Sequence, residues 1–389
     1  MSLPGRVLVL GLGRSGQAAS AALAHRGVDV VGADSKLGND GQVSLLDGVE
    51  LLVKSPGVPR AHPLVEEAAK RRIPVWAEVE LGYRLLPGSR FVGVTGTNGK
   101  TTTVELLGAM FREAGREVAV AGNVGRPLSA IEPTDWVVCE LSSFQLEDVH
   151  ELACEVAVLL NLEPDHLDRH GSMEAYREAK LRIFERATIR VVPRNSDLEG
   201  LQFSAGDPLP AEPLMPGLHN RENAAAATVA ARAAGIGDKP IARALTGFPG
   251  VPHRLELVSE AQGVRYVNDS KATNIAAARR ALQAYEQEAV HLIAGGRGKG
   301  EPFGELAEEM GPNVRGVYVI GESADKIAAA VGERAVLAGN LARAVELASR
   351  AARPGEVVLL SPACASYDQY ENFEQRGEEF RRLAQNLAT

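Results

Sequence analysis

The stretch FVGVTGTNGKTTT, residues 91–103, constrains the fold of this chain more than any other. A run of strand character leads into a glycine-rich turn that ends at Lys100, and a helical pattern begins immediately afterwards. Gly96 and Gly99 let backbone N–H groups point inward, and the helix N-terminus adds its positive end, which is the arrangement that binds a phosphate. Lys100 can reach the terminal phosphates, and the Thr101 hydroxyl can bind the accompanying magnesium. The stretch predicts a site for a nucleoside triphosphate.

The match to the strict phosphate-loop pattern is imperfect. That pattern places a glycine where this chain has Val94, with Gly93 and Gly96 on either side. The alternative is a glycine-rich turn between a strand and a helix that carries a surface lysine. The strand before the turn and the helix after it favour the nucleotide site, because this context is what the motif requires.

Length and composition limit the classes of protein to consider. A chain of 389 residues is too long for one ordinary domain, so we expect two or three. A net charge of −8 argues against a general binder of nucleic acid or anionic membranes. Three scattered cysteines without a C-x-x-C pair predict reduced thiols in a cytoplasmic protein. No stretch approaches the ~20 apolar residues that span a bilayer, so we expect no membrane insertion.

The first third of the chain contains a second glycine-rich turn. The apolar run VLVL precedes G-x-G-x-x-G at residues 11–16, and a second strand ends at Asp34. This is the outline of a Rossmann fingerprint, although Asp34 comes early for the ribose-binding acid, which is usually about 20 residues on. The motif alone is weak, because many such folds keep the glycines only to pack a helix against a strand. It indicates a nucleotide or a nucleotide-like ligand over this turn.

Polar residues follow two predicted strands of the middle third. Glu140 ends one strand, and the sequence DHLD at residues 165–168 follows the next. Ligands of open α/β sheets lie beyond the carboxyl ends of the strands, so Glu140 is well placed to hold magnesium on a bound phosphate. A histidine between two acids is often only a solvated loop, but the position of His166 at this edge favours a site. Lys180 lies in a predicted helix, and its local sequence chemistry gives no reason to single it out.

The last third repeats the pattern of a strand followed by a polar loop. Three such loops carry Lys271, Lys299 and Ser366. A solvated rim of loops would look the same, but glycine-rich turns beside lysines recur where anionic ligands bind. The segment 194–213 is polar and contains prolines, and we expect loops or short hairpins there.

Eight sequence blocks together resemble the Mur ligase family over essentially the whole chain. They are TGTNGKTT (95–102), ELSSFQL (140–146), DHLD (165–168), AKLRIF (179–184), HR (253–254), NDSKATN (268–274), LSPACAS (360–366) and NFEQRG (372–377). The resemblance implies an α/β fold of three domains, each a mainly parallel sheet with flanking helices. These would be a Rossmann-like domain for the UDP substrate at 1–88, a central ATP-binding domain at 89–250, and a Rossmann-like amino-acid-binding domain at 251–389.

The resemblance also implies an activity. The chain would be a cytoplasmic, monomeric, ATP-dependent ligase that joins D-glutamate to UDP-N-acetylmuramoyl-L-alanine through an acyl phosphate. This reaction belongs to peptidoglycan precursor synthesis, and so to cell wall biogenesis, cell shape and cell division. A sister ligase or a folylpolyglutamate-type synthetase that adds another amino acid is the nearest alternative. Two alternatives come from other functional classes. Residues 11–16 alone would suit a nicotinamide oxidoreductase, but that function leaves Lys100, Thr101 and Glu140 unexplained. The third possibility is a regulatory nucleotide-binding module without chemistry.

The family pattern assigns roles to residues by position. The catalytic residues would be Lys100, Glu140, His166, Lys180 and Lys271. Two Mg²⁺ ions would be held by Thr101, Glu140, His166 and Lys180, with Lys180 carbamylated. ATP would contact Gly96, Thr97, Asn98, Gly99, Lys100, Thr101, Thr102, Asn220, Asn223, Arg254 and Asp269. The UDP substrate would contact Gly13, Arg14, Ser15, Asp34, Ser35, Lys36, Gly57, Asn123, Ser142 and His166. D-glutamate would contact Thr273, Lys299, Ser366, Tyr367 and Phe373.

The chain departs from the family pattern in two places. The segment between residues 194 and 218 is shorter than in usual members, which puts the peripheral strands of the central domain in doubt but none of the site residues. Tyr367 stands where an aliphatic residue is common, so its contact with D-glutamate is the less secure expectation.

Overall fold

Three β-sheets, each mainly or wholly parallel and flanked by helices, make up the fold. A computed structural model describes residues 3–215, 217–298, 300 and 302–387. Lys299, expected in the D-glutamate site, lies outside the described residues. The α/β fold class with three such sheets is confirmed.

The first sheet has four parallel strands in the order β2-β1-β3-β4. Its strands are β1 (Arg6–Leu10), β2 (Asp29–Ala33), β3 (Leu51–Lys54) and β4 (Val75–Ala77), with helices α1 (Arg14–Ala24), α2 (Pro63–Lys70) and α3 (Glu78–Leu85). The central strands β1 and β3 are buried at every position after Arg6. Strands covered on both faces need unbroken apolar runs, which is what the sequence has here.

The second sheet has six parallel strands in the order β10-β9-β8-β5-β7-β6. Its strands are β5 (Arg90–Thr95), β6 (Val118–Gly122), β7 (Trp136–Glu140), β8 (Cys154–Leu159), β9 (Ala187–Pro193) and β10 (Leu201–Phe203). Its helices are α4 (Lys100–Glu113), α5 (Ser143–Leu146), α6 (Leu167–His170), α7 (Met173–Leu181), α8 (Leu218–Ala233) and α9 (Asp238–Gly247). Strand β5 lies between β8 and β7, so the loops after these three strands meet at one edge.

The segment 194–213, where we expect loops or short hairpins, contains strand β10. This strand pairs in parallel with β9, with Leu201 opposite Val191. A hairpin would have paired the two strands antiparallel, so the hairpin expectation is wrong for this piece. Residues 194–200 connect the two strands.

The third sheet has six strands in the order β11-β12-β16-β13-β14-β15, and only β11 runs antiparallel, against β12. Its strands are β11 (Glu256–Ala261), β12 (Val264–Asn268), β13 (Val290–Gly295), β14 (Val314–Ile320), β15 (Ala335–Gly339) and β16 (Val357–Leu360). Its helices are α10 (Ile275–Ala284), α11 (Gly304–Glu308), α12 (Ala324–Val331), α13 (Leu341–Ala351) and α14 (Phe373–Asn386). Short 3₁₀ turns elsewhere in the chain span Ser35–Leu37, Val43–Leu46, Leu128–Ala130, Arg182–Phe184 and Gly332–Arg334.

The described chain divides into two compact units. The first contains residues 1–213 and 219–248, with both of the first two sheets, and the second contains residues 214–218 and 249–389, with the third sheet. The expected boundary between residues 88 and 89 lies inside the first unit, between its two sheets, and the three-domain division stays a prediction. No helix in the described part of the chain is both long enough and apolar enough to cross a membrane.

Candidate functional site

The phosphate loop lies between β5 and α4, as the sequence predicts. Strand β5 ends at Thr95 and helix α4 begins at Lys100. The Lys100 ammonium donates hydrogen bonds to the carbonyl oxygens of Gly96 and Thr97, each with a donor–acceptor distance of 2.9 Å. The lysine thus folds back over its own loop, with its charge at the place where phosphate oxygens would lie.

Gly99 lies in close contact with the Asn223 side chain. Its φ is +83°, in the left-handed region, and a Cβ built on it would lie 2.1 Å from the Asn223 Oδ1 atom. Asn220 and Asn223 are both buried near the start of α8. The structure therefore brings Asn223, expected on the nucleotide side, against the phosphate loop.

Oxygen atoms suited to magnesium meet beside the loop. The Thr101 hydroxyl, in the first turn of α4, donates to Glu140 Oε2 over 2.8 Å, and Asn123 Nδ2 donates to Glu140 Oε1 over 3.1 Å. Glu140 ends β7, the strand next to β5, and is 2% exposed. A threonine hydroxyl and a carboxylate at this edge fit Mg²⁺, which is usually held by one or two carboxylates together with substrate phosphates.

Lys180 is the feature that local sequence left unexplained. Its ammonium is buried and donates to the Gly96 carbonyl oxygen over 2.8 Å. It also lies 4.6 Å from the centre of the Tyr176 ring. Burial, and after it the nearby charge of Lys100, lower the pKa of Lys180 to about 7, against weaker opposing effects of Asp165 and Glu140. An amine in this state is uncharged in a large fraction of molecules at neutral pH.

His166 lies on the loop after β8, at the start of α6. Its backbone is left-handed, with φ +53°, and its side chain is half exposed beside Asp165. Its ring packs on Phe144, with centroids 4.9 Å apart. The His170 ring stacks on Phe144 with centroids 5.1 Å apart, and the Arg169 guanidinium lies 3.7 Å from the centre of the Phe144 ring. The loop that carries His166 is thus held by aromatic packing.

Among the described residues, no group of three or more His, Cys, Asp and Glu side chains has the arrangement of a metal site. The expected ligand set does not need one, because it combines one carboxylate and one histidine with a threonine and a modified lysine. Thr101 and Glu140 are brought together directly. Lys180 reaches the same loop through Gly96, while His166 contacts Phe144.

The loop after β8 supports the phosphate loop, and sequence reasoning missed it. Asn161 Oδ1 accepts from the backbone N–H of Asn98 over 2.9 Å, and the Asn161 carbonyl accepts from the N–H of Thr97. Glu163 Oε2 accepts from Asn98 Nδ2 over 2.8 Å. The Tyr176 hydroxyl lies 3.1 Å from the Thr97 hydroxyl. The position of Asn161 directly after a strand was the available signal.

A cavity of about 470 Å³ opens over the G-x-G-x-x-G turn of the first sheet. Expected contacts of the UDP substrate that line it are Gly13, Arg14, Ser15, Asp34, Ser35 and Gly57. The expected contacts Lys36, Asn123, Ser142 and His166 are not among its lining residues. Asp40 and His62, which sequence reasoning missed, do line it, with His62 Nε2 lying 3.6 Å from Asp40 Oδ2.

Asp34 has a structural task in this cavity. Its carboxylate accepts from the backbone N–H of Leu12 over 2.5 Å and from that of Lys36 over 2.8 Å. The hydrogen bond from the Lys36 N–H, and after it the one from the Leu12 N–H, lower the pKa of Asp34. The third glycine of the motif also has a packing reason, because a Cβ on Gly16 would lie 1.9 Å from the Gly11 carbonyl oxygen. The turn is therefore a rigid rim for the cavity.

A buried ion pair supports the other rim, residues 55–59. Lys54 is 1% exposed, and its ammonium lies 2.8 Å from Asp148 Oδ2 and donates to the Val58 carbonyl oxygen over 3.2 Å. Arg60 reaches the same carboxylate over 3.2 Å, and Arg169 donates to the Val58 carbonyl over 2.9 Å. This rim is thus fastened to Asp148, which follows α5, and to Arg169 of α6, two segments that flank the second sheet.

In the second unit, Asp269 is buried after β12. Its Oδ2 accepts from the Ser361 hydroxyl over 2.8 Å, and its Oδ1 from the Leu255 N–H over 3.3 Å. Burial raises the pKa of Asp269 to about 7, opposed by the Ser361 hydrogen bond and by the charge of Arg254. Arg254 and Asp269, both expected at ATP, therefore interact within this unit.

Four described residues of this unit are expected at D-glutamate, three in strand-end loops and one at the start of α14. Ser366 is buried, and Tyr367 is 65% exposed. Thr273 follows Lys271 in a turn where its N–H donates to the Lys271 carbonyl over 2.8 Å. Phe373 begins α14, and the Lys271 ammonium lies 6.0 Å from its ring centre. Lys271 and Phe373 are thus neighbours.

Comparison with protein families finds matches to two parts of the chain. The Mur ligase middle domain matches residues 94–205, and the Mur ligase glutamate ligase domain matches residues 253–364. Among curated proteins, the UDP-N-acetylmuramoylalanine–D-glutamate ligase of Myxococcus xanthus is 40% identical, over 98% of both chains. The enzyme of the same name from Pelotomaculum thermopropionicum is 41% identical, also over 98% of both.

Solved structures with the same fold are more distant in sequence. A UDP-N-acetylmuramate-alanine ligase from Thermotoga maritima superposes with a TM-score of 0.64 at 20% identity, over 98% of this chain and 99% of that one. A MurF ligase from the same organism, in complex with ADP, gives 0.62 at 20% identity, over 88% and 91%. At this identity the likeness supports the fold alone.

Proposed function

The chain belongs to the Mur ligase family, and on that premise we propose that it is the ATP-dependent ligase that joins D-glutamate to UDP-N-acetylmuramoyl-L-alanine in peptidoglycan precursor synthesis. The choice of amino acid is supported by relatives about 40% identical over 98% of the chain whose names contain D-glutamate. A UDP-N-acetylmuramate-alanine ligase and a bifunctional folylpolyglutamate synthase share the fold at only 20% and 19% identity, so the alternative of a sister ligase or a folylpolyglutamate-type synthetase is not favoured.

One observation carries the chemistry: the Thr101–Glu140 pair and the buried Lys180 both adjoin the phosphate loop. An ATP-dependent ligase must place the γ-phosphoryl group against an acceptor carboxylate and neutralise the charge that accumulates there. A nicotinamide oxidoreductase has no use for these groups.

The reaction proceeds in two steps. A carboxylate oxygen of the alanyl group takes the γ-phosphoryl group, so that an acyl phosphate forms and ADP leaves. The D-glutamate amine then attacks the acyl carbon, and phosphate leaves with the original carboxylate oxygen as the amide forms. Activation is required because a carboxylate itself is a poor acceptor for an amine.

The first unit supplies the groups for ATP and for the acceptor. Lys100 neutralises the β- and γ-phosphates, the N–H groups of residues 96–102 bind phosphate oxygens, and Asn220 and Asn223 lie on the nucleotide side. Mg²⁺, when bound by Thr101 and Glu140, supplies charge neutralisation to the phosphates. The cavity of the first sheet takes the UDP part of the acceptor, with its diphosphate over residues 11–16. Asn123, Ser142 and His166 serve the muramoyl-alanine end.

We further propose that Lys180 is carbamylated and, with His166, serves a second Mg²⁺. The neutral amine adds to CO₂, forming the N–C bond and releasing one proton, and the product is an anionic oxygen ligand. Burial and the neighbouring Lys100 favour this reaction, because both disfavour the ammonium form. A carbamate replaces a positive charge with a negative one, which suits a hard cation.

The second unit supplies the groups for the amino acid. Ser366, Thr273 and Lys299 face the D-glutamate carboxylates, and Tyr367 and Phe373 flank its chain. Lys271 assists at the transferring phosphoryl group, and Arg254 and Asp269 serve the ATP phosphates and ribose. We also propose domain boundaries at residues 88 and 250, a monomer, and a cytoplasmic location, as expected of an enzyme that uses ATP.

Phosphate release with a panel of amino acids tests this function. We expect release only when ATP, UDP-N-acetylmuramoyl-L-alanine and D-glutamate are all present. L-alanine, L-lysine and diaminopimelate, the additions expected of sister ligases, should give none in place of D-glutamate. Release that does not depend on D-glutamate, or that prefers another amino acid, would contradict the proposal.

A further inference from the structure

Arg376 is a buried arginine that none of the proposed steps uses. It lies in the first turn of α14 and is 1% exposed. No direct ion pair to its guanidinium is found in the described part of the chain, and Asp368 and Asp269 act on its charge only from a longer distance. Burying a charge without a direct ion-pair partner is costly unless its donors are all well bonded, so such an arginine needs a specific reason.

Its donors reach three separate loops. Nη2 donates to the carbonyl oxygens of Ser270 over 2.9 Å and of Cys364 over 3.1 Å. Nη1 donates to the Gly295 carbonyl over 3.4 Å, and Nε to the Ser270 hydroxyl over 3.0 Å. The planar guanidinium can do this because its donors point in several fixed directions at once.

These three loops follow neighbouring strands of the third sheet. Ser270 follows β12, Gly295 ends β13 and Cys364 follows β16, and β16 lies between the other two. The loops after β13 and β16 also pair directly, through two hydrogen bonds between Arg297 and Ala365. Arg376 therefore sits where the carboxyl ends of three strands converge.

The same contacts fix the start of α14. The Ser270 hydroxyl accepts from Arg376 Nε and donates to the Phe373 carbonyl oxygen over 2.8 Å. Ser270 itself is fully buried and precedes Lys271. One serine thus joins the β12 loop, the guanidinium and the first residue of the helix.

The described residues assigned to D-glutamate lie on these segments. Thr273 is on the β12 loop, Ser366 and Tyr367 are on the β16 loop, and Phe373 begins α14. We propose that Arg376 is a positioning residue for the amino-acid substrate, which holds these loops at the mutual distances that D-glutamate binding requires. This inference rests on the proposed function of the unit.

A lysine could not replace the arginine. Burial lowers the pKa of Arg376 to about 10, so the guanidinium stays charged at neutral pH. A lysine has one nitrogen, which cannot reach three loops at once, and it would leave carbonyl oxygens buried without a donor. The charge would remain and the geometry would be lost.

The test is Arg376→Lys, with Arg382→Lys as the matched control, because Arg382 is on the same helix, is 59% exposed and pairs with Glu379. For Arg376→Lys we expect the KM for D-glutamate to rise at least about tenfold, with the KM values for ATP and for the UDP substrate within about twofold. Arg382→Lys should leave all three unchanged. A D-glutamate KM within about twofold of wild type, or a parallel change in all three KM values, would overturn the proposal.

Ser270→Ala keeps the test decisive if Arg376→Lys does not fold, because it removes only the hydroxyl between Arg376 and Phe373. It should raise the same KM selectively, by a smaller factor, and an unchanged D-glutamate KM would count against the role of Arg376. Failure of the proposed function itself would look different, since the wild-type protein would then show no D-glutamate-dependent phosphate release at all.

Discussion

The Lys180 ammonium donates a hydrogen bond to the Gly96 carbonyl oxygen over 2.8 Å, so a helical residue 84 positions downstream is fastened to the phosphate loop. Local sequence patterns do not predict this contact, because the two residues are far apart in the chain. The contact places a buried amine, whose pKa is lowered to about 7, beside Lys100 and the loop that binds the nucleotide.

Replacing this lysine tests its role as a carbamate ligand. Lys180→Ala should lower kcat at least about a hundredfold, because charge neutralisation at the phosphoryl group is lost. A short added carboxylate such as formate or acetate should restore part of the activity by occupying the space of the carbamate. Phosphate release measures both.

The control for that experiment is Lys70→Ala, since Lys70 is an exposed lysine in the last turn of α2. It should neither lose activity nor respond to the carboxylate. Full activity in Lys180→Ala would rule out the ligand role, and loss without any rescue would argue against a carbamate.

The close approach of Gly99 to Asn223 predicts a defect in nucleotide binding. Gly99→Ala places a Cβ 2.1 Å from Asn223 Oδ1, so the buried Asn223 side chain or the phosphate loop must shift. Gly115→Ala is the matched control, because Gly115 follows the same helix with φ +69° and has nothing within 4 Å of a Cβ. Both variants should lose about 1 kcal/mol of stability from the left-handed backbone.

Only Gly99→Ala should also weaken ATP binding, by about tenfold or more, since each 1.4 kcal/mol of misfit is a factor of ten. Calorimetric titration with ATP and Mg²⁺ measures this difference. Equal affinities in the two variants would show that the loop geometry at Gly99 does not matter for the nucleotide.

The buried pair of Lys54 and Asp148 predicts a coupled effect on stability and on the UDP cavity. Lys54→Met leaves Asp148 buried with only Arg60 as its partner, so the free energy of unfolding should fall by about 3–5 kcal/mol. The KM for the UDP substrate should rise as well, because the Val58 carbonyl loses a donor at the cavity rim.

Arg6→Met removes an exposed pair with Asp29 on the edge of the same sheet, and it should cost under about 1 kcal/mol. Denaturant unfolding measures both variants. If Lys54→Met lowered the free energy of unfolding by no more than Arg6→Met does, the buried ion pair would not stabilise the cavity rim as argued.

Much of this arrangement could be predicted from sequence because its causes are local. The glycine turns at residues 11–16 and 96–99 and the apolar runs before them specify strand, turn and helix within a few residues, and parallel strands bring their carboxyl ends to one edge. This is why Thr101 and Glu140 were expected together and are found 2.8 Å apart.

What could not be predicted depends on tertiary packing. Whether Lys180 or Arg376 is buried is decided by segments far away in the chain, and their own helices would tolerate either residue on a solvated face. Asp40 and His62 line the first cavity only because a loop and a helix start converge there. The parallel pairing of β10 with β9 similarly depends on the turn between them and not on the three residues of β10.

The raised pKa of Asp269 predicts a specific pH dependence. Between the ordinary value of 3.8 and about 7, the unfolded chain releases this proton and the folded protein retains it. The contribution of Asp269 to stability is therefore full below pH 4 and falls by about 1.4 kcal/mol per pH unit until about pH 7.

Asp269→Asn removes that titration while keeping the bonds to Ser361 and Leu255 possible. From about pH 4 to about pH 7, the free energy of unfolding of the wild type should fall relative to that of Asp269→Asn. Above about pH 7, the difference between the two should stay constant. A difference that is constant with pH would contradict the assignment.

The central claim is that the phosphate loop activates a carboxylate, and transfer of oxygen tests it most directly. The acceptor is prepared with ¹⁸O in its alanyl carboxylate and allowed to react with ATP and D-glutamate, and the released phosphate is analysed by mass spectrometry. Passage through an acyl phosphate predicts one ¹⁸O atom in each phosphate formed, in step with the amide product. Phosphate without label would show that ATP is hydrolysed by water, and would contradict the account.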